Sequence, residues 1–238
     1  MRPSRSLVSI AVLALAGSFT AAGAADADDW HGWIDAETER LYDDVVEWRR
    51  HFHRNPELSN REFETAAYIA DFLRGLDMEV TTDVAHTGVV GILEGGRPGP
   101  VVGLRADMDA LPVPSRVGLP FSPDVTSEFL GDEVPVSHAC GHDAHMAMLM
   151  GVARMMAERR DELPGTIKFI FQPAEEGAPP GEEGGAELMV EEGVLKNPDV
   201  DVVFGQHIWS PAPADMIGYR PGGMLAASDR FVITINGE

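Results

Sequence analysis

An α/β fold is predicted for this 238-residue chain, and three features of the sequence predict it. Segments with the 3.6-residue period of an amphipathic helix alternate with short, β-rich runs. One run, Val101-Val102-Gly103-Leu104, is almost wholly apolar, as expected of a strand covered on both faces. Three runs end in residues suited to chemistry: Asp107 and Asp109, then Glu175 and Glu176, then His207. Open α/β sheets gather their chemistry at the carboxyl ends of strands.

The elements follow in order. Arg2 and Arg5 precede a short apolar run, Leu7 to Ala16, and the small residues Ala22-Gly23-Ala24. The run is too short to span a bilayer, so residues 1–24 read as an export signal and the protein as periplasmic or secreted. Ile34, Leu41, Val45, Trp48 and Phe52 recur at helical spacing and predict a helix ending before Pro56. Ser59 and Glu62 fit a capping box for a second helix, with Phe63, Ala67, Ile69, Ala70 and Leu73 on its buried side. Strands are expected at 79–82, 88–93 and 101–104, with Gly95 to Pro100 as a turn. Residues 113–137, rich in Pro, Ser and Asp, read as a long surface loop.

The second half opens with a helix at about 144–160, whose methionines suit core filling. A strand at 165–171, a short helix at 186–192 and a buried strand at 200–204 come next. Pro and Gly between 210 and 223 suggest a hinge, and Phe231 to Ile235 begin another strand. The expected organisation is a leader at 1–24, a main unit at 25–218 and the start of a second unit at 219–238.

Charge narrows the partners. Asp+Glu total 39 against 18 Lys+Arg, a net charge of −21. Such acidity argues against nucleic acid and against anionic membrane surfaces. A lone cysteine in an exported chain makes no internal disulfide. Cys140 is therefore free, paired between chains or bound to metal.

The last option fits its surroundings. His138-Ala139-Cys140-Gly141-His142-Asp143-Ala144-His145 holds the only cysteine and three of the eight histidines. With Asp107, Asp109, Glu175, Glu176 and His207 it forms a ligand set at one sheet edge. Each member alone has a bland reading as a cap, a solvated carboxylate or a hydrogen-bonded imidazole. Their conjunction favours a divalent ion of borderline softness: zinc, manganese, cobalt or nickel. Adjacent glutamates allow one to bind metal while the other acts as general base. A bridging thiolate would suit two ions. The competing chemistry for Cys140 is a nucleophilic thiolate with a histidine base.

Five motifs carry a family resemblance: "RRHFHRNPELS", "GLRADMDALP", "HACGHDAHMAML", "FQPAEEG" with "GGAELMVEEGVL", and "FGQHIWS". In this order they resemble the co-catalytic metallopeptidase clan of carboxypeptidase G and aminoacylase, in its amidohydrolase branch. That branch includes hippurate hydrolases, N-acyl-amino-acid hydrolases and enzymes releasing indoleacetic acid from its amino-acid conjugates. The resemblance implies two divalent ions, with Cys140, His142, Glu176 and His207 as ligands and Glu175 as general base. Asp107, Asp109 and His138 then support the site from behind. In the wider clan a ligand histidine stands two positions before the aspartate, where this chain has Arg105. The implied fold is a zinc-peptidase-like mixed sheet sandwiched by helices, with the start of an inserted α/β lid. The implied substrates are N-acyl amino acids or small peptides, and the implied full-length state is a homodimer. The lid's substrate-binding histidine and a late ligand histidine have no match here, so the expectation is an amino-terminal fragment of a longer enzyme. The alternative is a truncated, inactive relative.

Overall fold

The computed structural model describes residues 23–213, 215–223, 233, 235 and 237. The expected leader lies outside this set except for Gly23 and Ala24, and the strand expected from Phe231 lies outside it except for Ile233 and Ile235.

Two helices open the chain, α1 (Gly23–Arg54) and α2 (Phe63–Arg74). Strands β1 (Glu79–Val84), β2 (Gly88–Glu94) and β3 (Arg97–Asp107) follow, then the small hairpin β4 (Thr126–Phe129) and β5 (Asp132–Pro135). Helix α3 (His142–Glu158), a 3-10 turn (Arg160–Glu162), strand β6 (Pro164–Gln172), helix α4 (Gly185–Glu191) and strand β7 (Val202–Gly205) complete the described elements. The hairpin sits inside the stretch expected to be an unstructured loop. No helix among the described residues is long and apolar enough to cross a membrane.

The main sheet has five strands in the order β1-β2-β6-β3-β7. The β1–β2 and β2–β6 pairs are antiparallel, whereas β3 runs parallel to both β6 and β7. The carboxyl ends of β3, β6 and β7 therefore share one edge, as the sequence implies. Phe52, Ile69, Leu73, Leu93, Met108, Met146, Met150, Phe169 and Phe171 form the core between the sheet and helices α1, α2 and α3. Truncating any of these large side chains would cost about 2–5 kcal/mol, through lost burial and the cavity left behind.

Three expectations change. Phe63 and Ala67 of α2 face solvent, while Thr65 and Ala66 turn inward. The capping box is not made, because no side chain at Glu62 caps the helix. Glu57 does that work instead, accepting the Glu64 and Thr65 amides at 3.2 and 2.8 Å. A carboxylate there also suits the positive end of the helix dipole. Finally, β7 is exposed rather than buried, with Phe204 59% accessible. It is the edge strand among the described residues, so only β3 covers its hydrogen-bonding side.

Candidate metal centre

The parallel register assembles the site. Asp107 ends β3 opposite Gln172, which ends β6, and Arg105 pairs with Gly205 at the end of β7. The residues that follow, Glu175, Glu176 and His207, leave the sheet at this edge. Helix α3 starts beside them, directly after Cys140 and Gly141. Gly141 has φ +97°, and a Cβ there would come within 3.3 Å of Ile208. The positive φ favours glycine between the two candidate ligands, and the Ile208 side chain would have to shift by a few tenths of an ångström for any larger residue.

His142 is the centre of the arrangement. It is fully buried, and its Nδ1–H donates to the Asp109 carbonyl at 2.7 Å. That bond leaves the lone pair on Nε2. Nε2 is buried without a hydrogen-bond partner among the described residues. It faces Glu175 Oε2 at 3.6 Å, Asp107 Oδ2 at 3.7 Å and Glu176 Oε1 at 3.9 Å. His207 is set in the same sense. Its Nδ1–H donates to the Ile208 carbonyl at 2.6 Å, and Nε2 lies 3.4 Å from Cys140 Sγ.

Two overlapping donor groups result, each with ligand atoms within 4.8 Å of one another. One is Cys140, His142 and Glu176; the other is Asp107, His142, His145 and His207. His145 has no free nitrogen for a metal, however. Its Nδ1–H donates to Asp107 Oδ1 at 2.6 Å, and its Nε2 accepts the Ile208 N–H at 2.9 Å.

The donors fit divalent ions. Burial pushes the Cys140 thiol up to about 12, and the carboxylates of Glu176, Glu175 and Asp107 add to the effect. Burial also raises Glu175, with Asp107 and Glu176 contributing. Burial alone would lower His142, but Asp109, Asp107 and Glu175 outweigh it and raise its pKa. So much negative charge around one imidazole calls for a cation, and a buried unpartnered nitrogen offers it a ligand.

The supporting residues are tightly bound. Asp107 is fully buried, and its Oδ2 accepts from Arg105 at 2.7 Å, while Arg105 Nε donates to Gln172 at 2.8 Å. Burial would raise Asp107, but the His145 hydrogen bond, with His142 and Arg105, holds it at about 2. Arg105 thus spends its guanidinium on orienting the aspartate. Asp109 accepts the Glu175 and Glu176 amides, both at 3.0 Å. His138 is buried with Nε2 unpartnered, and burial lowers its pKa to about 4.

All eight residues singled out in the sequence lie in or beside this cluster. Ser59 and Glu62 were assigned to a helix cap instead and belong to the site's framework: Ser59 donates to Asp109 Oδ2 at 2.7 Å. Their place just after Pro56-Glu57-Leu58, in the polar stretch that follows α1, is the available signal. Nor does the sequence signal the contact of buried Asp143 with buried His53 and half-exposed Arg49, in which Asp143 Oδ2 accepts from both at 2.8 Å.

Comparison with known proteins gives concordant results. Residues 103–235 match the family described as peptidase family M20/M25/M40. The N-acyl-L-amino acid amidohydrolase of Geobacillus stearothermophilus is 44% identical over 206 residues, covering 85% of this chain and 52% of the relative. Thermostable carboxypeptidase 2 of Saccharolobus solfataricus is 42% identical over 203 residues, covering 85% of this chain and 48% of the relative. Among solved structures, a dinuclear metal-binding peptidase of the M20 family from Bacillus subtilis superposes with a TM-score of 0.61 at 40% identity. That match covers 71% of this chain and 43% of the other. The chain spans about half the length of the curated relatives it matches.

Proposed function

This chain belongs to peptidase family M20/M25/M40, and from that premise we propose that it serves metal-dependent hydrolysis of an amide bond in N-acyl amino acids or small peptides. The observation that carries the reading is His142 Nε2, a buried lone pair without a partner, facing three carboxylates beside Cys140 and His207. Cys140, His142, Glu176 and His207 would hold two divalent ions. When bound, such ions polarise the amide carbonyl and acidify water.

The chain's own residues do the rest. Glu175 is the general base. Its side chain is 36% accessible, so substrate and water reach it, and its raised pKa suits proton uptake. It takes a proton from the attacking water and returns one to the leaving amine nitrogen. Asp107 and Asp109 fix the ligands from behind, and His138 fills the buried space beside Asp143 and His142.

The substrate class is supported by the names of the relatives, an N-acyl-L-amino acid amidohydrolase and a carboxypeptidase. The choice among zinc, manganese, cobalt and nickel falls to metal analysis. The leader pattern at 1–24 supports action outside the cytoplasm, checked by mass spectrometry of the mature amino terminus. Homodimerisation, implied by the family resemblance, is measured by light scattering.

Turnover of a panel of N-acyl amino acids, before and after chelation, tests the function. Activity should vanish with chelator and return with metal. Activity that persists without metal would defeat the reading and favour a thiol-based hydrolase.

A further inference from the structure

Two buried carboxylates divide three consecutive amides of the Glu175–Glu176 turn. Glu62 Oε1 accepts the Ala174 N–H at 2.9 Å. Asp109 accepts the next two, Glu175 on Oδ1 and Glu176 on Oδ2, each at 3.0 Å. Each carboxylate is also fixed on its far side by a hydroxyl. Thr87 Oγ1 donates to Glu62 Oε2 at 2.6 Å, and Ser59 Oγ donates to Asp109 Oδ2 at 2.7 Å. Ala174 has φ +50°, a backbone conformation that a non-glycine residue keeps only when its surroundings enforce it.

We propose that Glu62 is a positioning residue: through the Ala174 amide it sets the turn that aims Glu175 and Glu176 at His142 Nε2. This rests on the reading of Glu175 as base and Glu176 as ligand.

Three observations support the role. Helix α2 has no need of Glu62, because Glu57 caps it. Glu62 is nevertheless 0% exposed. Burying a carboxyl is unfavourable, and burial here pushes it up to about 7, so an apolar residue would suit packing better. Its hydrogen bonds, finally, lead to one place. One oxygen holds the residue preceding Glu175, and the other is braced by Thr87 on the loop leading into β2. The amino end of α2 is thereby tied to the turn that presents the base.

Amide hydrogen exchange and zinc titration of the metal-free protein test the proposal, with activity as a separate readout. Glu62→Ala should raise exchange at Ala174, Glu175 and Glu176 at least about tenfold, while Phe169 to Phe171 in β6 stay protected. Zinc affinity should fall by about 10- to 100-fold, and kcat should fall more than KM rises. Glu62→Gln keeps an oxygen for the Ala174 amide and should restore all three. If Glu62→Ala does not fold, Thr87→Val releases the other oxygen and should raise exchange at the same three amides. Unchanged exchange at the turn would overturn the proposal. So would parallel loosening of β6, which marks a merely structural role, or a glutamine variant as impaired as the alanine one. The exchange result stands apart from the functional reading, which fails on its own if Glu175→Gln retains turnover.

Discussion

His145 and Asp107 form a buried pair, with the Nδ1–H of the imidazole donating to Oδ1 of the carboxylate at 2.6 Å. The bond joins the start of α3 to the end of β3. Its other consequence is to leave Nε2 as an acceptor, which the Ile208 amide fills at 2.9 Å. One imidazole thus holds the aspartate behind His142 and the residue next to His207. His145 is a brace for the candidate ligands, with both its nitrogens already engaged.

Removing this brace has a calculable cost. His145→Ala leaves the buried Asp107 Oδ1 without its partner and frees the Ile208 N–H, which lies on an exposed residue. We expect a loss of about 1–3 kcal/mol of stability, the cost of leaving one buried group unsatisfied. Urea unfolding of the metal-free protein measures it. A loss below about 1 kcal/mol would contradict the brace.

Glu175→Gln keeps the shape of the side chain and removes its basicity. Metal content should stay at the wild-type level, while kcat falls by about 10²- to 10⁴-fold, the usual contribution of a positioned base. Metal analysis together with steady-state kinetics separates base from ligand. Glu176→Gln should instead lower metal content.

Cys140 provides a proton count. Its thiol is pushed up to about 12 by burial and by the neighbouring carboxylates, so without a cation it is protonated at neutral pH. Binding as a thiolate must release that proton. Zinc titration calorimetry at pH 7.5 in buffers of different ionisation enthalpy should show about one proton released that Cys140→Ser does not release. Equal proton release by both proteins would remove Cys140 from the ligand set.

His138 sets an acid limit. Burial lowers its pKa from an ordinary 6.5 to about 4. The folded state therefore binds this proton less readily than the unfolded chain. The stability it contributes is fully present above about pH 6.5 and is lost as pH falls towards 4. Asp107 acts lower, because its carboxyl is held at about 2 against an ordinary 3.8. Its contribution is present above 3.8 and lost as pH falls through 2. On acidification His138 and Asp107 thus cost stability in two successive windows. Glu62 opposes the upper one: its carboxyl is raised from 4.5 to about 7, so taking up its proton favours the folded state. Compared with wild type, His138→Gln should lack a loss of up to about 3 kcal/mol between pH 6.5 and 4 and keep the lower stage.

Much of the fold was legible because its signals are local. Helical spacing marks α1 and α3, and the apolar run at Val101 to Leu104 marks β3. The ligand types were legible for a similar reason: one cysteine and dense histidines are rare enough to stand out. Ser59 and Glu62 were misassigned because their spacing satisfies a capping rule that Glu57, earlier in the chain, already fulfils. Local pattern cannot choose between two caps. The edge position of β7 among the described residues was hidden as well, since an apolar run reads alike at the centre and at the edge of a sheet.

The sequence by itself determined the chemistry of the candidate centre: a thiol, imidazoles and paired carboxylates at the ends of successive strands, in motifs of one family. Only the tertiary structure decided which atoms face inward. Parallel pairing of β3 with β6 and β7 brought Asp107, Glu175, Glu176 and His207 to one edge. Hydrogen bonds between residues far apart in the chain then set the imidazoles. The Asp109 carbonyl turned His142 Nε2 towards the carboxylates, and Asp107 with Ile208 took both nitrogens of His145. Residue type is a property of the chain, whereas the direction of a lone pair depends on partners that only folding brings within 3 Å.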